Sequence, residues 1–560
     1  MTDMRRTLLW VVFTMSLVLL WDAWNRHTGQ PTLFGGAPRP AASAPAAGPA
    51  PAGVPAAVPA ATSATPATPA ATGAATPAPT AAAAAGERIE LATDRFKATF
   101  DSVGGTLVRL ELLGYRDNVD ARRNVVLFDQ SGKRLYLAQT GLITAQPGVA
   151  LPTHLTPMAA APGPRVLADG SNELVLRFEG EAAGGVKLAK TYTLQRGSYT
   201  IGVKHEVING SAAAVSPQLY LQLARDGNPP EGESSFYFTF TGPAMYTDQA
   251  KFQKIEFKDI EKGSTDHARQ ANDGWVAMVQ HYFASAWLLK DNAPREFRTA
   301  KVSDNHYTVA MVTPLGDLAP GATKVHEATL FAGPQEENKL AALAPGLELV
   351  KDYGWFTMLA KPLFWLLDQL NRLIGNWGWA IVALVVLLKI AFYWLNASAY
   401  RSMAKMKAIN PRVMELRERH KDDPQKMQQE MMRIYREEKV NPLGSCLPIL
   451  VQMPFFIALY WVLLSSVEMR NAPWIGWITD LADKDPWFIL PILMTASSLF
   501  QVWLNPTPPD PMQAKLMWIM PLAFSFMFFF FPAGLVLYWL TNNLLSIAQQ
   551  WFINKRLGVQ

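Results

Sequence analysis

The sequence predicts an α-helical polytopic membrane protein, with six membrane spans, that also carries an all-β domain. Three observations lead to this fold class. Hydrophobic residues make up 49% of the 560 residues and charged residues only 17%, against about 25% charged residues in an ordinary soluble domain. Thirteen of the 18 tryptophans lie beyond residue 350, and only two lie between residues 86 and 345. Residues 86–345 instead show the two-residue alternation that is typical of strands.

The first 24 residues are predicted to be an N-terminal membrane segment. Arg5 and Arg6 precede the uncharged stretch 8–20, which is shorter than the ~20 residues that a spanning helix needs. This pattern fits a cleaved signal peptide and a retained anchor helix equally well, and either would export the chain beyond it. Residues 25–85 are then predicted to be a disordered tether, because 37–85 are almost only Ala, Pro, Thr, Ser and Gly and cannot form a core.

Residues 86–345 are predicted to form one large antiparallel β-sandwich. The alternating stretches 187–194 and 199–207 flank Arg196-Gly197, which reads as a hairpin turn, and Asn209-Gly210 reads as another. No βαβ rhythm of about 30 residues appears. The single cysteine, Cys446, excludes an intrachain disulfide framework, so the domain must depend on its own core.

Beyond residue 350 the apolar spacing becomes helical. Residues 350–375 are predicted to form an amphipathic helix lying on the membrane surface, with Lys361, Asp368 and Arg372 on its polar side. Most of the spans are 16–19 residues long, at the short end for a bilayer core of about 30 Å. We predict spans over 376–396, 445–466, 487–504, 516–531 and 533–551, with connecting or terminal segments 397–442, 505–515 and 552–560 on the cytoplasmic side.

The charges of the loops predict the orientation. Residues 397–440 hold 11 Lys or Arg against seven Asp or Glu, whereas the loop 467–486 holds two basic and four acidic residues. The excess of basic residues marks the cytoplasmic side of a membrane protein. Both termini are therefore expected in the cytoplasm and the β domain in the periplasm of a bacterial inner membrane.

Lys389 is the candidate charged residue inside the predicted spans. It lies six residues, or about 9 Å, from Leu395 at the inner end of the apolar stretch 377–395, and a cation inside a span costs about 3 kcal/mol at mid-depth. One reading is a lysine that reaches the inner headgroups. The other is a charge that faces a wet cavity.

Polar residues of the other spans favour the wet cavity. They lie in or near the same cytoplasmic half of the membrane: Gln452, Gln501, Thr541, Asn542 and Asn543. Each needs a partner or water in an apolar medium. Hydrogen bonds between helices are the alternative for such residues, but their number beside a lysine favours a hydrophilic hollow that is open to the cytoplasm.

The basic segment 397–442 is predicted to be a helical hairpin with its turn at 421–424. A charged hairpin is usually a solvated structure, yet a basic face beneath a membrane could also recruit ribosomal RNA or anionic lipid. Its candidate recruiting residues are Arg412, Arg417, Arg419, Arg433 and Arg436.

Missing motifs exclude several classes of protein. There is no G-x-x-x-x-G-K-[ST] and no H-E-x-x-H, and no histidine lies inside a predicted span. A Ser–Lys dyad from Lys389 would need a positioned serine that the sequence does not indicate. A net charge of +5 is too small to suggest DNA binding. We therefore expect no enzyme, no cofactor and no metal.

Four motifs occur in order in the last part of the chain: Asn441-Pro-Leu-Gly-Ser-Cys446, Gln452-Met453-Pro454, Asp510-Pro-Met-Gln513 and Phe531-Pro-Ala-Gly-Leu-Val-Leu-Tyr538-Trp-Leu-Thr-Asn-Asn543. Together they resemble the YidC membrane-protein insertase family, and the resemblance covers residues 350–560. The order of elements, from N-terminal helix and tether to β domain, amphipathic helix and five spans, matches the Gram-negative form.

The resemblance implies a periplasmic β-supersandwich and a five-helix core around a hydrophilic groove that is open to cytoplasm and lipid. The family usually has an arginine in the groove, and this chain has Lys389 there. Lysine keeps the positive charge but cannot donate the two parallel hydrogen bonds of a guanidinium group. Met453, Tyr538 and Trp539 would contact the client segment. The basic helical hairpin 397–442 would be the element that recruits partners to the insertase. The N-terminal helix would be an uncleaved anchor.

The implied function is insertion and folding of nascent inner-membrane proteins, alone or with the secretion channel and its accessory subunits, and without nucleotide hydrolysis by this chain. The expected partners are nascent chains, the ribosome, the secretion channel and the lipid bilayer. Two alternatives remain: a small-solute transporter or channel built on the same hollow, and an envelope carbohydrate-binding protein acting through the β domain.

Overall fold

The computed structural model describes residues 86–120, 122–233, 239–420, 423–438, 447–505 and 511–557. The predicted anchor 1–24 and tether 25–85 lie outside these residues. Within them, an all-β unit is followed by a helical unit, and each has its own buried cluster.

The β unit is a sandwich of two antiparallel sheets, which confirms the predicted all-β sandwich. One sheet has the strand order β1-β2-β3-β4-β5-β10-β17-β16-β13 and the other β12-β11-β14-β15-β18-β9-β8-β7-β6. The strands are β1 (Arg88–Ala92), β2 (Phe96–Asp101), β3 (Thr106–Arg116), β4 (Asn124–Gln130), β5 (Leu135–Ile143), β6 (Ala159–Ala160), β7 (Glu173–Glu181), β8 (Val186–Gln195), β9 (Thr200–Asn209), β10 (Gln218–Asp226), β11 (Gly242–Thr247), β12 (Lys251–Lys254), β13 (Gln270–Ala271), β14 (Trp275–Val279), β15 (Phe283–Leu288), β16 (Arg295–Ser303), β17 (His306–Pro314) and β18 (Thr323–Pro334).

One of the two predicted hairpin turns is present and the other is not. Gly197, at φ 74°, joins β8 to β9, which pair directly. Asn209-Gly210 does not close a hairpin, because β9 and β10 belong to different sheets. The buried Asn209 side chain instead donates to the carbonyl oxygens of Ala213 and Leu318 and fixes the crossing between the sheets.

The core lies between the two sheets. Phe100 of β2 and Tyr192 of β8 have ring centroids 4.7 Å apart across it, and the Trp287 indole of β15 donates to the Gln222 carbonyl of β10 at 3.1 Å. Buried and more exposed side chains alternate along β7 and β9, the pattern by which the sequence predicts the sandwich, whereas β5, β14 and β15 are buried along their whole length.

The helical unit begins after β18. In chain order the helices are α1 (Phe257–Glu261, inside the β unit), α2 (Glu337–Leu343), α3 (Thr357–Ile374), α4 (Trp377–Ala391), α5 (Tyr393–Arg419), α6 (Pro424–Glu437), α7 (Leu447–Ser465), α8 (Ile489–Leu504), α9 (Pro511–Phe528) and α10 (Ala533–Leu557). The amphipathic α3 ends at Gly375 in the left-handed conformation, φ 75°, and the Asn376 side chain caps α4 by accepting from the Trp379 N–H. A helix end and a helix start therefore follow one another directly.

The predicted span 376–396 is not one continuous helix. The helix α4 ends at Ala391, and the chain bends by 69° before α5. No proline or glycine marks the break. At the bend, the Phe392 ring packs against Phe455 of α7, with ring centroids 5.0 Å apart.

Other helix bounds also differ from the predicted ones. The helix α9 starts inside the predicted loop 505–515 and ends three residues before the predicted end at 531, and α10 runs on through 552–557 of the predicted tail. Among the described helices, none is both long and apolar enough to cross a membrane by itself, and α4 with α5 meets that test only as a bent pair.

Polar contacts connect the β unit, and the segment between α2 and α3, to the end of α7 and the loop after it. Lys351 forms an ion pair with Glu468 at 3.0 Å, and its ammonium lies 3.8 Å from the ring centroid of Phe364 in α3. His281, which precedes β15, contacts the Leu464 carbonyl near the end of α7 at 2.9 Å. The His281 contact joins the sandwich to the end of α7, and the Lys351 pair joins the segment before α3 to the loop after α7.

Candidate functional site

Lys389 lies in a narrow cleft between α4, α7 and α10. The cleft has a volume of about 30 Å³. Its lining residues are Val385, Leu388, Lys389, Phe392, Gln452, Phe455, Phe456, Leu459, Tyr538 and Asn542. The lining is mostly apolar, with a lysine and two amide side chains at its polar end.

The ammonium group of Lys389 contacts a serine on another helix. Lys389 Nζ donates to Ser546 Oγ at 2.6 Å, and Ser546 Oγ donates to the Asn542 carbonyl at 2.7 Å. Ser546 lies one turn beyond Asn542 on α10, and this four-residue spacing is the sequence signal that could have identified it. The lysine thereby connects α4 to α10.

Gln452 connects the cleft to the helix break. Its side-chain N–H donates to Asn396 Oδ1 on α5 at 2.8 Å, and Asn396 is buried. Asn396 was not predicted as a site residue, because the sequence gives no sign of the bend that brings it next to α7.

The remaining predicted groove residues do not line this cleft. Asn543 is buried and donates to Ser497 Oγ of α8 at 2.8 Å, which is the hydrogen bonding between helices that the sequence left open as an alternative. Gln501 and Thr541 are half-buried and are not among the lining residues. The polar residues are therefore divided among several helix pairs.

The three predicted client-contacting residues lie in different environments. Met453 is 46% exposed and Tyr538 only 4% exposed. The half-buried Trp539 packs in an aromatic cluster with Tyr460, Phe528 and Phe531, at centroid distances of 6.4, 5.0 and 5.6 Å. Neighbouring residues on a helix point about 100° apart, so Tyr538 faces the cleft while Trp539 faces this cluster.

The predicted basic residues lie on α5 and α6, and part of their charge is paired. Arg412 contacts Glu438 at 2.8 Å and so joins α5 to the end of α6, while Arg433 pairs with Glu437 at 2.8 Å within α6. Arg419 and Arg436 are exposed and Arg417 is half-buried. The hairpin keeps a basic, accessible surface.

Large apolar side chains cover the outside of α8 and α9. They are between 41% and 65% exposed, which a soluble protein would not tolerate over so wide a surface. The set comprises Ile492, Leu493, Phe500, Trp503, Met512, Leu516, Trp518, Ile519, Met520, Leu522, Phe524 and Phe526. No group of three or more His, Cys, Asp or Glu is arranged for a metal ion within the described ranges.

A β-sandwich joined to helices with an apolar exterior and polar internal contacts defines an integral membrane protein with a large extramembranous domain. The comparisons agree with this class. The model "YidC periplasmic domain" matches residues 88–366 and the model "60Kd inner membrane protein" matches residues 369–559.

Full-length relatives identify the family. "Membrane protein insertase YidC" of Janthinobacterium sp. (strain Marseille) is 52% identical over 571 residues, covering 100% of both chains. The protein of the same name from Cupriavidus taiwanensis is 56% identical over 558 residues, covering 99% of this chain and 98% of the relative. This chain belongs to the YidC membrane protein insertase family, and it is an inner-membrane protein with a periplasmic β domain.

A solved structure is also similar, the "Active YidC insertase crystal structure with the first transmembrane domain resolved". Its chain is 19% identical to this one, with a TM-score of 0.38. The match covers 83% of this chain and 94% of that one.

Proposed function

We propose that this chain inserts hydrophobic segments of nascent membrane proteins into the inner membrane through the cleft around Lys389. The observation that supports this proposal is the lysine itself, held by Ser546 at the polar end of an otherwise apolar cleft. A positive charge in a low-dielectric site attracts an acidic group more strongly than it would in water. A client whose outer tail carries acidic residues would therefore be drawn to this position.

The proposed topology has six spans, with both termini in the cytoplasm. Its supports are the basic hairpin at one end of the helical unit, the β unit at the other, and the apolar exterior between them. The helix α7, with 19 residues, would be about 28 Å long at 1.5 Å per residue. The first span would be the segment 1–24, which lies outside the described residues.

The mechanism follows from the size of the cleft. The cleft is narrow, at about 30 Å³, so we expect the helices around Lys389 to part further when a client segment enters. The client's apolar segment would pack on Met453 and on Tyr538 and Trp539 as they become accessible. Burial of ~20 apolar residues in lipid would then drive release.

The membrane potential would assist the crossing of an acidic tail. Moving one negative charge outward gains about 2.3 kcal/mol per 100 mV. Lys389 would neutralise such charges briefly at the inner end of the path. Insertion would thus need no nucleotide hydrolysis by this chain.

Recruitment would fall to the hairpin. Its exposed arginines suit ribosomal RNA or anionic headgroups, both of which bind basic surfaces in a salt-dependent manner. We extend the proposal to the secretion channel and its accessory subunits as partners for larger clients, with the β unit as the periplasmic contact surface.

Substitution of Lys389 tests the proposal. Lys389→Ala should slow insertion of a single-spanning client with an acidic outer tail by at least about tenfold, or about 1.4 kcal/mol, whereas Lys389→Arg should retain activity. Lys484→Ala, on the outer side, is the matched control. Insertion would be measured in liposomes containing the purified full chain, with a client of neutral tail in parallel. Normal insertion of the acidic client by Lys389→Ala would refute the role of the charge.

A further inference from the structure

The loop between α7 and α8, residues 466–488, binds the starts of two other helices. We call it the outer loop. The Asn376 side chain, which caps α4, also donates to the Pro473 and Trp474 carbonyls, at 3.1 Å each. At α10, the Ala533 N–H donates to the Asp483 carbonyl at 2.7 Å and the Gly534 N–H to the Leu481 carbonyl at 2.9 Å.

Asp485 joins the same loop to a third helix, α8. Its carboxylate is 1% exposed and accepts three hydrogen bonds: from the Trp477 indole at 3.0 Å, from the Trp487 N–H at 3.0 Å, and from the Leu490 N–H in the first turn of α8 at 2.7 Å. All three donors are neutral N–H groups. A buried carboxylate is costly unless such donors surround it, and hydrogen bonds to an ionised acceptor are the stronger kind.

The stacked indoles of Trp477 and Trp487 cover this carboxylate region. Their ring centroids are 5.7 Å apart and their planes differ by 9°. Tryptophan side chains favour the boundary between lipid and water. The Asp485 contacts therefore lie where the apolar surface ends on the outer side.

The two ends of the helical unit are held in different ways. At the outer end, main-chain carbonyls of one loop accept from the Asn376 side chain at α4 and from main-chain N–H groups at the start of α10, and Glu468 of the loop pairs with Lys351, which precedes α3. Around the cleft, single side-chain bonds connect the helices, such as Lys389–Ser546 and Gln452–Asn396. The outer loop thus bonds to the starts of three helices, whereas each of these cleft bonds joins one pair of helices, so the outer end is the harder one to open.

We propose that Asp485 is a positioning residue for insertion, whose buried carboxylate fixes the start of α8 to the outer loop so that the helices part at the cytoplasmic end while the outer end stays closed to ions. This inference rests on the proposed function for its second test, but its first test needs no client. Asp485 touches no client segment and acts through Trp477, Trp487 and Leu490.

The first test measures ion leak. Asp485→Asn keeps the size of the side chain but replaces one acceptor oxygen with a donor, which opposes at least one of the three N–H groups. Liposomes containing the full-length variant should leak chloride and protons at least about tenfold faster than wild type, which corresponds to about 1.4 kcal/mol. Asp483→Asn is the matched control, because its side chain is exposed and its main-chain carbonyl is retained.

A second variant keeps this test decisive if Asp485→Asn assembles poorly. Trp477→Phe removes the indole N–H donor, keeps a smaller aromatic ring beside Trp487, and should raise the leak in the same direction, by less. If Asp485→Glu restores the low wild-type ion leak at the same protein yield as Asp485→Asn, the leak of the Asn variant reflects lost positioning of α8 and not loss of folded protein. Wild-type leak in both Asp485→Asn and Trp477→Phe, or an equal leak in Asp483→Asn, would overturn the proposal.

The second test locks the outer end. Lys484 and Pro532 are partners in an isolated antiparallel bridge, and Cα atoms so paired lie within reach of a disulfide. The double substitution Lys484→Cys and Pro532→Cys, in a Cys446→Ser background, should insert clients at an unchanged rate whether oxidised or reduced. Inhibition on oxidation, reversed by reductant, would show that the outer end must open and would overturn the proposal. Loss of insertion in both redox states with no rise in leak would count against the proposed function only.

Discussion

Lys190 offers the most quantitative prediction, because it is a lysine buried in the core of the β unit. Its side chain is fully buried on β8, and Nζ donates to the Gly104 and Thr140 carbonyl oxygens at 2.6 Å each. These partners are neutral. Burial lowers the pKa of Lys190 from 10.5 to about 7.

The magnitude follows from the two pKa values. A base with a lowered pKa in the folded state binds fewer protons there than in the unfolded chain, so the free energy of unfolding rises as the pH increases from 7 towards 10.5. The difference between the two pKa values of Lys190 corresponds to about 5 kcal/mol in the free energy of unfolding, at about 1.4 kcal/mol for each unit. Between pH 7 and pH 9 the wild-type β unit should gain about 2 kcal/mol from this one group.

Lys190→Met removes the titrating group and leaves two carbonyl oxygens without their donor, at about 1–3 kcal/mol each. The hydrogen-bond cost does not depend on pH, so the difference in unfolding free energy between variant and wild type should shift by about 2 kcal/mol from pH 7 to pH 9, in favour of wild type. Urea unfolding of residues 86–350 at both pH values measures it, with the exposed Lys187→Met as control. A difference that is the same at both pH values would refute the reasoning.

Two further predictions concern the contacts that hold the helical unit. Lys351→Met leaves the Glu468 carboxylate buried without its partner and should lower the free energy of unfolding of the full chain by about 3–5 kcal/mol, measured as a lower thermal midpoint in detergent. Lys361→Met breaks a more exposed ion pair and should cost less than about 1 kcal/mol. Equal effects of the two variants would contradict the stabilising role of the buried Lys351–Glu468 pair. Gly378→Ala places a Cβ at 2.2–2.6 Å from Trp474 side-chain atoms. It should lower the free energy of unfolding by about 1–3 kcal/mol and raise the ion leak. An unchanged leak would show that the outer loop adapts freely to the added methyl group.

The sandwich was predictable because strand alternation is a local pattern. The stretches 187–194 and 199–207 became β8 and β9, paired through the turn at Gly197. Asn209-Gly210 has the same local composition as a hairpin turn, but its outcome depended on a buried amide that bonds to Leu318, more than 100 residues away. Local sequence does not contain that contact.

The cleft was predictable only in part, for a geometric reason. Lys389 stands out because a charge in an apolar helix is rare. Asn542 and Gln452 were predicted as groove residues because both lie in the cytoplasmic half of their predicted spans. Which neighbour each one meets depends on helix rotation: Asn543 is one residue from Asn542 yet bonds to Ser497 on another helix. Asn396 reaches Gln452 only because the chain bends at Phe392, where no residue type signals a break.

The lengths of the helices connect the closed outer end to the proposed mechanism. The helix α8, with 16 residues, would measure about 24 Å, shorter than a hydrocarbon core of about 30 Å. A bilayer can thin to match short helices at a cost of fractions of a kcal/mol per Å, and a thinner bilayer shortens the apolar distance that a client's polar tail must cross. Thinning also brings water closer to both ends of the helices, so a weakly held outer end would conduct ions. The main-chain contacts of the outer loop and the buried carboxylate of Asp485 are the features that would let a thin membrane domain remain closed.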